Sequence, residues 1–184
     1  MVKKLFKSFA RWLPLGLTIF VLCFFSFVAA QQNLRQGAND PQIELSQNVA
    51  DSIMSGNKPS LPVSKVDISK SLSLYVIIYN EKKQVVYSTP QINGLDVRPP
   101  EGVLDSAKTK GSNRVTWQPA PKVRQAIVVQ YFNKGKIVGY VVVGRSLKEV
   151  ESRIDNLTKI FFTTLGFALV GSYLIKFILI NLHL

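Results

Sequence analysis

Two long apolar stretches constrain the fold of this chain more than any other feature of its sequence. The nineteen residues from Trp12 to Ala30 include no charged side chain. As a helix they would extend about 28 Å, close to the thickness of the hydrocarbon core of a bilayer. A second stretch covers residues 160–175 and resumes after Lys176, whose ammonium can reach the headgroups along its aliphatic stem. We therefore predict two transmembrane helices, at residues 12–30 and 158–180.

Basic residues set the expected orientation of the first helix. Four of them precede it without an acidic neighbour: Lys3, Lys4, Lys7 and Arg11. By the positive-inside rule, residues 1–11 and 181–184 are predicted to be cytoplasmic, and residues 31–157 to form a domain outside the cytoplasm. Arg153 and Lys159 flank the outer end of the second helix, so the first helix decides this prediction.

The first apolar stretch also has a second interpretation. Val28-Ala29-Ala30 before Gln31 resembles a signal-peptidase site, although the run is longer than a usual signal sequence, which favours retention. Cys23, the only cysteine, lies inside this stretch. It can form no intrachain disulfide, and the bulky Leu22 before it argues against lipidation. We expect Cys23 to be a buried small apolar residue.

The net charge of +12 does not indicate nucleic-acid binding. Residues 31–157 hold 17 Lys/Arg against 11 Asp/Glu, a net charge of +6, without a basic run of five or more. Charges that set membrane orientation, together with a mixed solvated surface, explain this excess. Attraction to anionic lipids or cell-wall polymers is the alternative.

Helix and strand signals alternate between the two stretches. Pro41 after Asn39-Asp40 predicts a helix start, and Gly56 its end. Residues 57–70, which include Pro59 and Pro62, are expected to be irregular. A short helix is predicted from residue 100 or 101 to Lys110, capped by Gly111.

The strand signals predict two hairpins and one further strand. Residues 72–79 and 84–88 flank the turn residues 80–83, and residues 125–132 and 137–143 flank 133–136. Between the hairpins, residues 114–118 are a predicted strand that ends at Pro119-Ala120-Pro121. The expected fold class is α+β, with an antiparallel sheet packed on helices and flanked by the two transmembrane helices.

The last segment predicts one continuous helix from the outer domain into the membrane. Ser146 and Glu149 have the spacing of a capping box. After them, an apolar and small-residue seam continues in one register: Leu147, Val150, Ile154, Leu157, Thr164, Ala168 and Gly171. The outer part is expected to pack on its own domain and the membrane part on the first helix, with a homodimer seam as the alternative.

Three passages are considered together: Tyr75 to Tyr79, Gln84 to Ser88, and Gly139 to Val150 with its Gly144-Arg-Ser-Leu147 sequence. With the two apolar stretches around them, they resemble the extracytoplasmic sensor module of bacterial two-component histidine kinases, of the Cache or PAS-like kind. The resemblance implies a PAS-like sheet with a long N-terminal helix in a cell-membrane protein that senses a ligand or stress outside. It departs from such kinases because no kinase domains follow residue 184 and the only histidine is His183, so an intact input module and a truncated kinase both remain open.

Little in the sequence indicates catalysis. One histidine and one cysteine cannot form a zinc site or a nucleophile–base pair, and no calcium loop is present, so we expect no metal, cofactor or enzyme activity. If a small molecule binds between the sheet and its covering segments, Arg114, Trp117 and Arg124 are the candidates to contact an anionic or aromatic ligand. Core packing of Trp117 and solvated arginines are the alternative.

The sequence therefore predicts a sensor-like input protein that passes a signal through its second transmembrane helix. The expected partners are the lipid bilayer and a membrane kinase or another membrane protein, because this sequence includes no effector domain. An envelope scaffold or assembly protein, which binds another exterior protein without signalling, is the alternative.

Overall fold

A computed structural model describes the backbone of residues 2–182 and the side chains of residues 8–179. His183 lies outside the described residues. The chain divides into two compact units, one formed by Met1–Leu34 and Ser152–Leu184 and the other by Arg35–Glu151. We call them the helical unit and the α+β unit.

Two helices of 35 residues supply the helical unit: α1 (Val2–Gln36) and α4 (Lys148–Leu182). Both are long and apolar enough to cross a membrane, by length and composition. Their outer faces expose large apolar side chains, among them Leu22, Phe25, Phe162 and Phe167, which are 64–76% exposed. Such exposure suits contact with lipid rather than with water.

The α+β unit contains three further helical segments and eight strands. A 3₁₀ turn (Gly37–Asn39) leads into α2 (Asp40–Met54), and α3 (Gly102–Lys110) lies between the strands. The strands are β1 (Val66–Asp67), β2 (Tyr75–Asn80), β3 (Val85–Ser88), β4 (Pro90–Ile92), β5 (Leu95–Asp96), β6 (Ser112–Ala120), β7 (Val123–Lys134) and β8 (Ile137–Ser146). The predicted α+β class, with a long N-terminal helix and a C-terminal helix, is confirmed.

The main sheet has five antiparallel strands in the order β3-β2-β8-β7-β6. Both predicted hairpins are present, β2–β3 around Asn80–Lys83 and β7–β8 around Gly135. Lys83 and Gly135 adopt the left-handed conformation at these turns, with φ of 57° and 64°. Pairing of β2 with β8 places the last strand at the centre of the sheet.

A second sheet, β1-β4-β5, was not predicted. β1 pairs parallel with β4, and β4 pairs antiparallel with β5 around Asn93-Gly94. The irregular connection predicted for residues 57–70 therefore includes a strand, and another strand begins at Pro90. Two-residue strands carry too little apolar alternation to be recognised in a sequence.

Each face of the main sheet is covered by its own layer. Tyr75, Ile77 and Tyr140 point to a core shared with Leu104 of α3 and Ile68. On the opposite face, Val76, Ile78, Val141 and Val143 pack against Val49 and Ala50 of α2. Alternation along the strands sends neighbouring residues to opposite layers, so the unit has three layers with the sheet in the middle.

The predicted break at Pro119-Ala120-Pro121 is wrong in part. β6 continues through Pro119 to Ala120, with an irregular register between Trp117 and Ala120, and the turn consists of Pro121 and Lys122. β6 is an edge strand, where a proline without an N–H removes no sheet hydrogen bond. Pro121 followed by a residue with φ of 63° fits a type II turn.

Candidate functional site at the junction of β8 and α4

One residue, Leu147, connects the central strand of the sheet to the long C-terminal helix. β8 ends at Ser146 and α4 begins at Lys148. The Leu147 N–H donates to the Arg124 carbonyl on β7 at 2.9 Å, and the Glu151 N–H donates to the Leu147 carbonyl at 2.9 Å. The start of the helix is therefore attached to the sheet by backbone hydrogen bonds, without a flexible linker.

Two arginines of the sheet hold the first turn of α4. Arg145 donates from Nη2 to Glu149 Oε2 at 2.8 Å and from Nε to the Leu72 carbonyl at 3.0 Å. Arg124 forms an ion pair with Glu151. These side chains are one-third to one-half exposed, so each pair contributes at most about 1 kcal/mol to stability. The main effect of these ion pairs is on geometry, because they fix the first turn of α4 to two neighbouring strands, β7 and β8. We call residues 145–151 with Arg124 the β8–α4 junction.

The predicted capping box lies inside this junction. Ser146 Oγ accepts a hydrogen bond from the Lys148 N–H at 3.3 Å. Glu149 and Glu151 both lie in the first turn of α4, where the helix dipole favours negative charge. The sequence signal thus located the start of the helix, although it gave no indication of Arg124 and Arg145 as partners of the two glutamates.

The three predicted ligand contacts are not brought together. Along β6, Val115 and Trp117 are half-buried and pack on the core beside α3, whereas Arg114 is exposed. Residues three apart on a strand lie on opposite faces, so Arg114 and Trp117 cannot face one pocket. Arg124 belongs to the junction through its ion pair with Glu151.

Sequence reasoning missed a set of buried polar groups on the core face beside α3. The hydroxyls of Tyr75 and Tyr79, Ser88 Oγ and Gln125 Oε1 are buried and have no hydrogen-bond partner among the described residues. Ser88 pairs with Ile77 and Gln125 with Trp117 across neighbouring strands. Directly paired residues share a face, so all four atoms lie on the same side of the sheet.

Burial changes the proton affinity of the two tyrosines. It raises the pKa of Tyr75 well above its usual range and that of Tyr79 to about 12, with a smaller opposing effect of Arg98. Gln125 is held in place because its Nε2 donates to the Ile68 carbonyl at 3.0 Å. The signal that could have found this set is the Tyr75-x-Ile77-x-Tyr79 alternation, which puts both rings on one face.

The helical unit shows where the predicted seam of α4 lies. Ile154, Leu157 and Ala168 are half-buried, as are Leu147 and Val150 at the start of the helix. Phe161 stacks on Phe27 of α1 with ring centroids 4.5 Å apart. Contact with the first helix, one of the two predicted arrangements, is therefore present.

Two positions of the predicted seam differ from the structure. Thr164 is exposed, and Leu165 is the buried residue at this turn, 8% exposed. A Cβ added to Gly171 would meet no atom within 4 Å, so no neighbouring helix approaches it closely. A helix of 3.6 residues per turn drifts away from a strict seven-residue repeat, which moves the buried stripe by one residue.

A polar contact between the two helices involves residues that the sequence analysis did not single out. Trp12 Nε1 donates to Ser172 Oγ at 3.0 Å, and its ring meets Tyr173 edge-on at 5.7 Å. Gly16 makes room for the indole, since an added Cβ would lie 2.6 Å from the ring. Farther along, Cys23 is half-buried and lines an apolar groove of about 340 Å³ between the helices.

Comparisons with known proteins do not place the chain in a family. No protein-family model matches the sequence, and a search of curated proteins finds no match to it. Among the described residues, no group of three His, Cys, Asp or Glu side chains could hold a metal ion. A function for this chain must therefore be inferred from the β8–α4 junction and the two cores of the α+β unit.

Proposed function

We propose that the chain is a membrane-anchored signal-input protein. In this proposal residues 31–157 form an extracytoplasmic domain of the PAS or Cache-like kind. A change in that domain shifts or rotates α4, and the membrane helices of a partner protein read the movement. The observation that carries the proposal is the single-residue connection between the central strand and α4.

The sheet supports a sensing role because β8 contacts both halves of the domain. β8 pairs along its whole length with β7 on one side, and through Gly139 to Gly144 with β2 on the other. A rearrangement near Tyr75 or Gln125 would alter a strand that neighbours β8. Leu147 alone connects β8 to α4, and Arg124 and Arg145 form ion pairs with the first turn of the helix. A displacement of β8 therefore moves the first turn of α4 with it.

Topology is the second part of the proposal. Four basic residues before the first apolar stretch favour a cytoplasmic N-terminus and an exterior α+β unit. Two helices that can each cross a membrane then return the chain to the cytoplasm. The likeness to sensor modules of histidine kinases suggests a kinase or another membrane protein as the partner, and no catalytic step is assigned to this chain.

A cross-linking experiment on the full chain in its native membrane tests the coupling. Cys23→Ala removes the only cysteine, and Phe167→Cys adds one at a side chain that is 76% exposed on α4. Arg124→Ala with Arg145→Ala releases the first turn of α4, and we expect it to change the yield of adducts between the introduced cysteine and neighbouring membrane proteins. Arg114→Ala, on the exposed face of β6, is the matched control and should leave the yield unchanged.

Two results would contradict the proposal. One is an adduct yield that is the same in the junction variant and in the control. The other is a chain that purifies without any membrane protein after mild detergent extraction. Insertion of three glycines between Ser146 and Leu147 provides a second variant, because it separates β8 from α4 without altering either sequence.

A scaffold role is the competing function, and the filled core favours it. Tyr75, Ile77, Ile127 and Val142 are completely buried on the face beside α3. A domain packed in this way could serve as a binding module that acts through its outer surface. Ala168→Leu with Gly171→Leu distinguishes the two roles, because a Cβ added at Gly171 would meet no atom of the described residues within 4 Å. Signalling through a partner helix should change, whereas a tethered scaffold should tolerate the pair.

A further inference from the structure

Charge is distributed unevenly along the α+β unit. Residues 35–105 contain seven Lys/Arg and eight Asp/Glu, whereas residues 106–148 contain nine Lys/Arg and no Asp/Glu. The second segment includes the end of α3 and the strands β6, β7 and β8. The positive charge of this unit is therefore concentrated in one half of its fold, a difference that the net charge does not reveal.

Four lysines of this segment belong to chain segments that meet at one end of the sheet, the end of α3 and the β7–β8 turn. Lys108 and Lys110 belong to the last turn of α3, Lys134 ends β7, and Lys136 lies in the β7–β8 turn. The Tyr131 N–H donates to the Gly111 carbonyl at 2.9 Å, which joins the end of α3 to β7. Lys134 lies three residues beyond Tyr131, about 10 Å along an extended strand. We call these four residues the lysine tip.

The lysine tip lies at the end of the sheet opposite the β8–α4 junction. β8 starts at Ile137 beside the tip and runs ten residues to Ser146, where the chain enters α4. In the proposed topology the tip belongs to the exterior domain of residues 31–157, so we expect its ligand to be a molecule outside the cytoplasm.

The four lysines are exposed and are not paired with acidic side chains of the described residues. Other lysines of the unit do form such pairs: Lys65 with Asp96 at 2.5 Å and Lys83 with Asp105 at 2.6 Å. An anion bound at the tip would therefore meet positive charges that no described acidic side chain compensates.

The chemistry of the tip favours a flexible polyanion over a folded protein. Residues 108–111 and 133–137 include no aromatic side chain and no arginine, and these are the residues that usually anchor protein interfaces. Lysine ammonium groups bind phosphate as mobile point charges, without a fixed geometry. We propose that the lysine tip binds a linear phosphate polymer outside the membrane, for which the exterior location rests on the proposed topology.

Binding to inorganic polyphosphate tests the inference directly. The probe is titrated against the full chain in nanodiscs of uncharged lipid, at several salt concentrations. The tip variant carries Lys→Gln substitutions at the four positions 108, 110, 134 and 136. Its matched control changes the same number of exposed charges outside the tip, through Arg35→Gln, Lys58→Gln, Lys65→Gln and Lys70→Gln.

We expect the tip variant to bind polyphosphate at least tenfold more weakly than the unaltered chain, with a smaller dependence of affinity on salt. The control should retain most of the affinity. Equal losses in the two variants would overturn the inference, because net charge alone would then explain binding. Stronger binding of polyglutamate would overturn it in favour of an acidic protein, and stronger competition by phosphatidylglycerol vesicles in favour of lipid.

Failure here would be distinguishable from failure of the signalling proposal. Polyphosphate binding does not involve Leu147, Arg124 or Arg145, and cross-linking from Phe167→Cys does not involve the tip. A positive result would give the α+β unit a ligand class at the end of the sheet opposite the β8–α4 junction.

Discussion

At the scale of single residues, glycines opposite aromatic rings decide how the sheet packs. Tyr75 pairs with Gly144 across β2 and β8, and a Cβ on Gly144 would lie 2.2 Å from the tyrosine ring. Phe132 and Gly139 form a similar pair on β7 and β8, with a ring atom 2.7 Å from an added Cβ. An aromatic ring that covers a glycine on the next strand replaces the missing side-chain packing.

Gly144→Ala should therefore destabilise the protein, although alanine suits a strand at least as well as glycine does. We expect a loss of about 1–3 kcal/mol in the free energy of unfolding, the usual cost of overpacking a core. Chemical denaturation of the full chain in detergent, followed by tyrosine fluorescence, measures it. Gly102→Ala is the control, since its Cβ would meet nothing within 4 Å, and an equal loss there would refute the explanation.

The buried tyrosines predict sensitivity to high pH. Burial raises the pKa of Tyr79 from 10.0 to about 12. In this window the unfolded chain releases the proton and the folded chain keeps it, so stability falls as the pH rises from 10 to 12. A hydrogen bond to Asp105 raises the pKa of Lys83, so this interaction stabilises the fold below that pKa and is lost as the pH rises through it.

Tyr79→Phe should reduce this alkaline loss and leave stability at pH 7 unchanged or higher. Its hydroxyl is buried without a partner, and removal of such a group costs little. Thermal unfolding of both proteins between pH 7 and 12 gives the comparison. An identical decline in the variant would show that Tyr79 does not titrate in the unfolding reaction.

At the scale of elements, the two long helices are joined by a polar contact within an apolar surface. The Trp12–Ser172 hydrogen bond of 3.0 Å depends on Gly16, over which the indole lies. The sequence predicted both helices from length and composition. It did not predict this contact, because Trp12 and Ser172 are 160 residues apart and neither belongs to the apolar periodicity.

Gly16→Leu should weaken the helix pair more than Trp12→Phe does. The phenylalanine loses one hydrogen bond, worth about 0.6 kcal/mol between membrane helices, whereas leucine at position 16 displaces the whole ring. Disulfide formation between Phe27→Cys and Phe161→Cys in a Cys23→Ala background reports the pairing, since these rings are 4.5 Å apart. Leu17→Ala, at a side chain that is 61% exposed, should leave the cross-link unchanged.

At the scale of the whole molecule, local signals predicted the main elements and long-range pairing explains what they missed. The two hairpins could be predicted from the sequence because their turns at residues 80–83 and 133–136 lie between strong strand signals. The parallel pair β1–β4 joins Val66 with Pro90, which are 24 positions apart in the sequence. A local sequence pattern cannot predict a pairing over this distance. The proposed ligand contacts failed to meet for a similar reason, because strand parity and the Glu151 pair separated Arg114, Trp117 and Arg124.

The orientation of the molecule in the membrane gives a further prediction. A single cysteine at Asn80 or Asn133, in a Cys23→Ala background, should react with a membrane-impermeant maleimide in intact cells. The reason is that both turns belong to the α+β unit, which the basic N-terminus is expected to place outside. Labelling only after permeabilisation would reverse the orientation and exclude an exterior domain.

The one-residue length of the Leu147 connection also determines which side of α4 faces any neighbour. Each residue added to a helix turns everything beyond it by about 100°. A single insertion or deletion between Ser146 and Lys148 would thus aim a different stripe of the helix at a bound protein, even if both flanking elements kept their structure. To test the proposed signalling role, fusions of this α+β unit to a foreign transmembrane segment should be made in several helical phases, because the proposal predicts that only a subset of them transmits a signal.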